Sequence, residues 1–434
     1  MLRVRLPNEA PTLTEVTTVP AATITSATLA SALCSYAERF HGSSGATHHI
    51  ASPLGAWMLL ALCARGTDGR LRDELTAILG VDVDAAASFT AALLAEPHPA
   101  VASAAAVWTR PGLPAESLAG WLAGLPFVVE RGDIPSQVAL DAWAREHTLG
   151  LIERFPITLH PRALFLLATA LATKVSWVEP FETVPARELA RPTSDNWPDR
   201  LKRPLGADAE QSADWSTRLH KVLKAPMWEE SHSQFIATTD RAGDVAVHTG
   251  TALRGLSVTS VIAERGVSPS DVLGAAYELA TRIAQGRDVA QRSLFELPVG
   301  HAPLWSIEEE QTRVVSQDGR EERHTAVLPA WSAVTVHDLD RPELGFPAAV
   351  PALGRLAGEP QFDYVATQSA LARYTRTGFE AAALSTVMGL AGSAMPHLRP
   401  GVVRTATLRF GHPFAVVAVA TETPDFIRAT GTRE

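Results

Sequence analysis

Side chains able to act on a substrate are thinly scattered in this sequence. No Gly-x-Ser-x-Gly turn presents a nucleophilic serine, no His-Glu-x-x-His helix offers imidazoles and a base to a metal, and no Gly-rich loop ends in Gly-Lys-Ser/Thr to cradle a phosphate. A dinucleotide fingerprint following a strand is missing as well. His48-His49 and Ser231-His232-Ser233 are the dense histidine and serine spots, but neighbours along a strand point to opposite faces, so neither makes a chelate. Glu308-Glu309-Glu310 follows an apolar segment and reads as a solvated loop or helix face rather than an acid and base pair. Cys34 and Cys63 are the only cysteines and lie in apolar helical patterns, as buried core thiols do. No metal, cofactor or catalytic group is expected, and enzymatic function has little local support.

One segment near the C-terminus invites a different chemistry. The run 378–395 carries a single charge, Glu380, no proline, and mostly small side chains. Strand, helix and linker all remain open for it. Extended at about 3.3 Å per residue, it would reach roughly 55 Å. With period two, Glu380, Ala382, Leu384, Thr386 and Met388 face one way, and Phe379, Ala381, Ala383, Ser385 and Val387 the other. The second face is uncharged, so a sheet could accept it.

The chain that must position this run has 434 residues, 38 basic against 47 acidic side chains and 46% hydrophobic residues, enough to bury a large core. Its net charge of −9 leaves no electrostatic footprint for nucleic acid or an anionic membrane surface. Charge and proline interrupt residues 1–9, unlike a secretory signal, and the uncharged stretches 16–37, 40–64 and 381–398 are diluted by polar residues, glycine and proline. A cytoplasmic protein without a membrane helix is the expectation. A threonine-rich segment makes residues 1–23 a flexible entry, after which Leu29, Leu33, Tyr36 and Phe40 trace one helical stripe that Gly42-Ser43-Ser44-Gly45 should end. Ser52-Pro53 caps and opens a second helix, apolar on nearly every side, which Gly66 stops. Thr67 can cap a third, over Leu71, Leu75, Ile78 and Leu79, ending at Gly80.

Beyond these three helices, 101–110, 127–129 and the long apolar run 164–176 read as strands, with 141–155 helical. Prolines and acidic residues mark 191–216 as an exposed insertion. Later, 235–237, 256–262 and 294–297 are short apolar segments, interrupted by a helix at 271–284. Helices early and strands late make an α+β pattern.

Gly378-Phe379-Glu380-Ala381-Ala382-Ala383 resembles the hinge of the serpin reactive loop, and Phe410-Gly411-His412-Pro413-Phe414 is similar to the segment that follows that loop. Ser52-Pro53-Leu54 with Gly66 resembles the family's buried helix, and Trp143, Thr148, Gly150 and Ile152 its helix over the sheet. Lys174, Trp177, Pro180 and Phe181 resemble the strand ending at the breach, where the loop begins to insert; Leu328-Pro329 with Asp338-Leu339, and Phe426 with Gly431, resemble two later strands. These matches run in family order from about residue 24 to 432 and mark a divergent, bacterial-type member.

The resemblance implies an α+β serpin fold in one domain, 24–434, with three β-sheets, eight or nine helices and an exposed reactive-centre loop over 376–409 serving as protease bait. It implies a serine or cysteine protease inhibitor: after cleavage the loop inserts as an extra strand and the attached protease is carried away and deformed. Ala381, Ala383 and Ser385 are small, as insertion requires. Four positions depart from the family: Phe379 replaces a small residue, Arg376 an acidic one, and Thr169 and Gln368 the asparagine and histidine that bond beneath the opening sheet near Ser52. Counting forward from the hinge puts the scissile bond within Ala391-Gly392-Ser393-Ala394, suited to an elastase-like or subtilisin-like target; counting back from Phe410 puts it at Leu398-Arg399. The rival reading is a non-inhibitory serpin-fold protein that binds a small-molecule ligand or partner, its ten tryptophans lining an apolar pocket, or that has been recruited as an enzyme in specialised metabolism. A monomer is expected.

Overall fold

The computed structural model describes residues 26–44, 48–112, 116–189, 221–227, 231–359, 362, 364–379 and 398–421. The entry segment 1–23, the insertion 191–216, the run 380–397 and the final strand with Phe426 and Gly431 lie outside them.

Local capping chemistry builds the first quarter. The Ser52 hydroxyl accepts the Gly55 N–H at 3.3 Å and Pro53 supplies the first turn of α2 (Pro53–Ala64), a helix buried along most of its length. Before it, α1 (Ser26–Ser44) lays the buried Tyr36 and Phe40 into the same core. That helix runs through Gly42, because Ser43 and Ser44 both donate their hydroxyls to the Phe40 carbonyl in its last turn. Thr67 does not cap the third helix; its hydroxyl donates back to the Ala64 carbonyl at 2.6 Å, closing α2 instead. Helix α3 (Gly69–Leu79) ends at Gly80, whose φ of 75° only glycine adopts freely. A fourth helix, α4 (Val83–Ala95), is capped by the Asp82 carboxylate. Cys63 lies in this core with its thiol pushed up to about 12 by burial, whereas Cys34 is half-buried.

Strand β1 (Val101–Thr109) runs between β2 (Glu130–Asp133), parallel to it, and β3 (Phe165–Thr173), antiparallel. Residues 127–129 form a turn rather than a strand, closed by the Val129 N–H on the Pro126 carbonyl, and leave Phe127 89% exposed. Helix α5 (Glu116–Gly124) connects β1 to β2, and α6 (Gln137–His147) connects β2 to β3. Helix α6 stops well short of Phe155, because Leu149 and Gly150 take φ of 55° and 77° and reverse the chain. Its Leu140 and Ala144 pack with Phe155 on Trp108, Leu166 and Ala168 of the sheet.

The apolar run 164–176 is one strand interrupted at Lys174: β3 continues into β4 (Val175–Ser176). Strand β4 belongs to a second group, ordered β13 (Trp331–Asp338), β14 (Thr367–Tyr374), β15 (Gly378–Phe379), β4. The two groups are therefore halves of one large sheet, parted between β3 and β14. A six-stranded sheet is ordered β10 (Gly300–His301), β11 (Trp305–Val314), β16 (Arg399–Arg409), β12 (Arg320–Leu328), β6 (Lys221–Lys224), β5 (Glu182–Pro185). Glu308, Glu309 and Glu310 are solvated as expected, but on β11 rather than on a loop or helix. The third sheet is ordered β17 (Ala415–Ala420), β9 (Leu256–Ile262), β8 (Gly243–Ala252), β7 (His232–Thr239). It is covered by α7 (Pro269–Ala284), whose Ala275, Ala276 and Leu279 meet Val261 and Val417. Residues 294–296 form a 3-10 turn rather than a strand. Helix α8 (Phe346–Leu356) completes the helical core.

Three sheets, one of them parted, and eight α-helices among the described residues make an α+β fold. No single described helix is long and apolar enough to cross a membrane. The buried tryptophans are dispersed: Trp57 and Trp121 sit among the helices, Trp108 beneath α6, Trp177 and Trp305 between the sheets. They line no common pocket.

Candidate functional site at the parted sheet

The site is the slot between β3 and β14, whose two ends are held by different chemistry. Among the described residues β3 pairs with β1 alone, and β14 pairs with β13 along its length but with β15 at one residue. Among the described residues, Gly378 and Phe379 alone bridge the two banks: Gly378 opposite Ser176, Phe379 opposite Val175, and Phe379 opposite Tyr374 on the far side. Two residues of a central strand are in place; below them the banks run apart.

At the top, an aromatic clamp fixes the turn that delivers this bridge. Trp177 is 2% exposed, and its indole N–H donates to the Thr375 carbonyl at 2.9 Å. Its backbone N–H reaches the Thr377 carbonyl, and the Phe181 N–H reaches that of Arg376. Within the turn, the Thr375 N–H and hydroxyl both donate to the Gly378 carbonyl. The Trp177, Phe181 and Tyr374 rings lie 5.0 to 5.7 Å apart, and Phe379 meets Tyr374 edge-on at 6.4 Å. Phe379 is thus accommodated by packing beside the core. The Arg376 side chain is exposed, as is that of Lys174 at the strand break.

At the bottom, Thr169 and Gln368 do not bond each other. Gln368 accepts the Ser52 N–H at 2.9 Å and donates its amide to the Ser52 carbonyl at 2.8 Å, while Thr169 donates to the Gly55 carbonyl at 2.8 Å. Each bank is therefore tied independently to the start of α2. The close approach needs glycine: a Cβ on Gly55 would come within 2.9 Å of Leu171 Cδ1. Thr367 Oγ1 faces this region buried and without a partner, beside a cavity of about 80 Å³ lined by Ser52, Thr169 and Gln368. Replacing Gln368→Ala removes both bonds to Ser52 and leaves its amide and carbonyl to whatever water the cavity admits. The expected loss is about 1–3 kcal/mol, read from the urea midpoint at constant m-value.

The distal end of the loop is anchored before its sequence suggests. Arg399 already pairs with Val314, Pro400 with Arg313, and Arg313 donates to the Leu398 carbonyl at 3.0 Å. Gly401 is pressed so close to Val314 and the Gly319 carbonyl that a Cβ would collide with both. The bond Leu398-Arg399 therefore lies at the start of a paired strand. Glu380 to Ala383 and Ala391 to Ala394 lie outside the described residues.

Two histidine pairings were not legible from the dense spots. His49 meets His41 from the preceding helix at 2.7 Å, and His41 bonds Tyr277 at 2.8 Å; burial holds the His41 imidazole down to about 4. His232 meets His248 of the adjacent strand at 3.1 Å. The only signal was cross-strand register, which opposes His248 to Gln234 and His232 to Gly250, so that the two rings meet diagonally across the ladder. No group of three metal-binding side chains occurs among the described residues.

No protein-family model and no curated sequence matches the chain. Solved structures do. Human glycosylated kallistatin is 16% identical with a TM-score of 0.57, covering 90% of this chain and 94% of that one. Human thyroxine-binding globulin complexed with thyroxine is 12% identical with a TM-score of 0.55, covering 91% and 95%. The thermophilic serpin Tengpin, in its native state, is 11% identical with a TM-score of 0.56, covering 90% of each chain. Identities this low speak for architecture alone, and over about nine-tenths of its length that architecture is the serpin fold.

Proposed function

We propose that this chain is a protease inhibitor that works by loop cleavage and strand insertion. The observation that carries the proposal is Gly378-Phe379, paired on both sides between β4 and β14 while β3 and β14 stand apart below. Extending that register gives each inward residue a place. Residue 381 would lie opposite Thr173 and Ala372, residue 383 opposite Leu171 and Ala370, and residue 385 opposite Thr169 and Gln368. On β14, Ala370 and Ala372 are buried, and the incoming Ala381, Ala383 and Ser385 are small enough to sit between the banks. Ser385 would arrive beside the hydroxyl of Thr169 and the amide of Gln368. Glu380 falls on the outward face, where its charge stays hydrated.

The bait bond lies within 391–394, on the free side of the anchor at Leu398. Small residues there suit an elastase-like or subtilisin-like serine protease. Incubation with such proteases, followed by a denaturing gel, tests the reading: a band that survives boiling is expected at the mass of the protease plus the chain up to the cut, with the C-terminal peptide released, and cleavage of the chain with no such band would overturn it. The second reading, a non-inhibitory ligand carrier, draws on Phe379, whose bulk fixes the hinge against Tyr374. It is the reading that the same gel would favour if cleavage were simple.

A further inference from the structure

Behind the clamp lies a buried polar chain that neither the fold nor the slot uses. Its direction follows from donor and acceptor chemistry. The Glu179 carbonyl can only accept, so His232 Nε2, 2.7 Å away, must carry a proton. In a neutral ring His232 Nδ1 is then an acceptor, and the proton between the rings, 3.1 Å apart, belongs to His248 Nε2. His248 Nδ1 is left bare to accept the Tyr374 hydroxyl at 3.4 Å. With both imidazoles neutral, every ring nitrogen is engaged.

Among the described residues no counter-charge stands beside them. From β7 the facing group is His232 itself, from β8 His248, from β14 the Tyr374 hydroxyl, and from β9 the buried Ser260 hydroxyl, which bears on that of Tyr374. The segment after β4 contributes the Glu179 carbonyl and the Phe181 ring, 4.6 Å from His232 and 5.3 Å from His248. Among the described residues no carboxylate, lysine or arginine bears on either ring. Burial lowers the proton affinity of both, and His232 lowers that of His248 further.

We propose that His232 and His248 form a proton-operated latch on the turn that carries Phe379. Neutral rings keep Tyr374, Phe181 and Trp177 closed on residues 375–379. A proton on His232 Nδ1 either faces the His248 Nε2–H across 3.1 Å or drives His248 into the tautomer whose Nδ1–H turns on the Tyr374 oxygen, and in both cases a charge is held in a buried site. One on His248 Nδ1 displaces the Tyr374 hydroxyl and leaves a buried charge unpaired. Either change is relieved by opening the clamp to water. The sign follows from linkage: the open state takes up protons from about pH 6.5 downward and the closed state only at lower pH, so the latch is at full strength above that value and weakens below it. The latch governs the hinge on which the inhibitory reading rests, but its operation can be read with no protease present.

Hydrogen exchange on the intact chain at pH 7 and pH 5, corrected for intrinsic rates, tests it. The amides of Trp177, Phe181 and Gly378 should lose protection by up to roughly tenfold per pH unit below 6.5 for each ring that takes up a proton, while those of α4 hold theirs. Uniform loss, or none, would overturn the latch in the wild-type protein alone. His248→Leu and His232→Gln, the latter keeping an N–H for the Glu179 carbonyl, should each weaken the difference, and the double variant should abolish it. A pH response unaltered in both variants would sink the assignment to these rings. A chain that shows the response yet traps no protease would refute inhibition and leave the latch standing; a trap without the response would do the reverse.

Discussion

A single cut within 391–394 is expected to raise the thermal midpoint of this chain by about 10 °C or more. The reason lies in the parted sheet. Among the described residues the facing edges of β3 and β14 bond neither to each other nor to a strand between them, apart from the rung at Gly378 and Phe379. Cleavage frees the segment after Phe379 to continue that rung downward. About ten new ladder bonds at ~1 kcal/mol each would be worth on the order of 10 kcal/mol. A chain of 434 residues unfolds with an entropy of about 0.9 kcal/mol per kelvin, so each kilocalorie moves the midpoint by roughly one degree. Calorimetry at one fixed scan rate, on intact chain and on chain nicked by subtilisin with the cut located by mass spectrometry, measures the shift. Equal midpoints would mean that the freed segment does not enter the slot.

Charge placed on alternate residues of that segment should have opposite consequences. Ala383→Arg sets a guanidinium opposite Leu171 and the buried Ala370 in the extended register, with no carboxylate partner on either bank. An unpaired charge held there costs about 3–5 kcal/mol. Insertion should then lose the race against hydrolysis, the gain in midpoint on nicking should shrink by several degrees, and the yield of covalent complex should fall roughly tenfold or more. Ala382→Arg puts the same group on the solvent face beside Glu380, where surface substitutions are worth about 0.5 kcal/mol or less, and both readouts should stay near wild type. If the two variants behave alike, or the effects are exchanged, the register read from Phe379 is wrong by one residue or does not extend.

Features set by near neighbours could be read without a structure. Ser52-Pro53 announces α2 because cap and first turn are a matter of four consecutive residues, and Gly80 ends α3 because only its own φ is at stake. The same logic fails where a neighbour in space takes over. Thr67 turned back to the Ala64 carbonyl instead of capping forward, and α6 was cut off by Leu149, a residue with no glycine-like signature. Strand β2 is charged and exposed along its length and shows no alternation, since pairing with β1 alone makes it a strand.

What the linear order determined was the sequence of elements, the small uncharged face that begins at Phe379, and the poverty of catalytic groups, all properties of residue type and spacing. Folding decided the rest. That Thr169 and Gln368 hold α2 rather than each other, that Leu398 is pinned by Arg313, and that His232 finds His248 depend on strand register across the sheets and on chain segments up to 316 residues apart. Such contacts exist only once the long-range pairings have formed, and no local propensity encodes them.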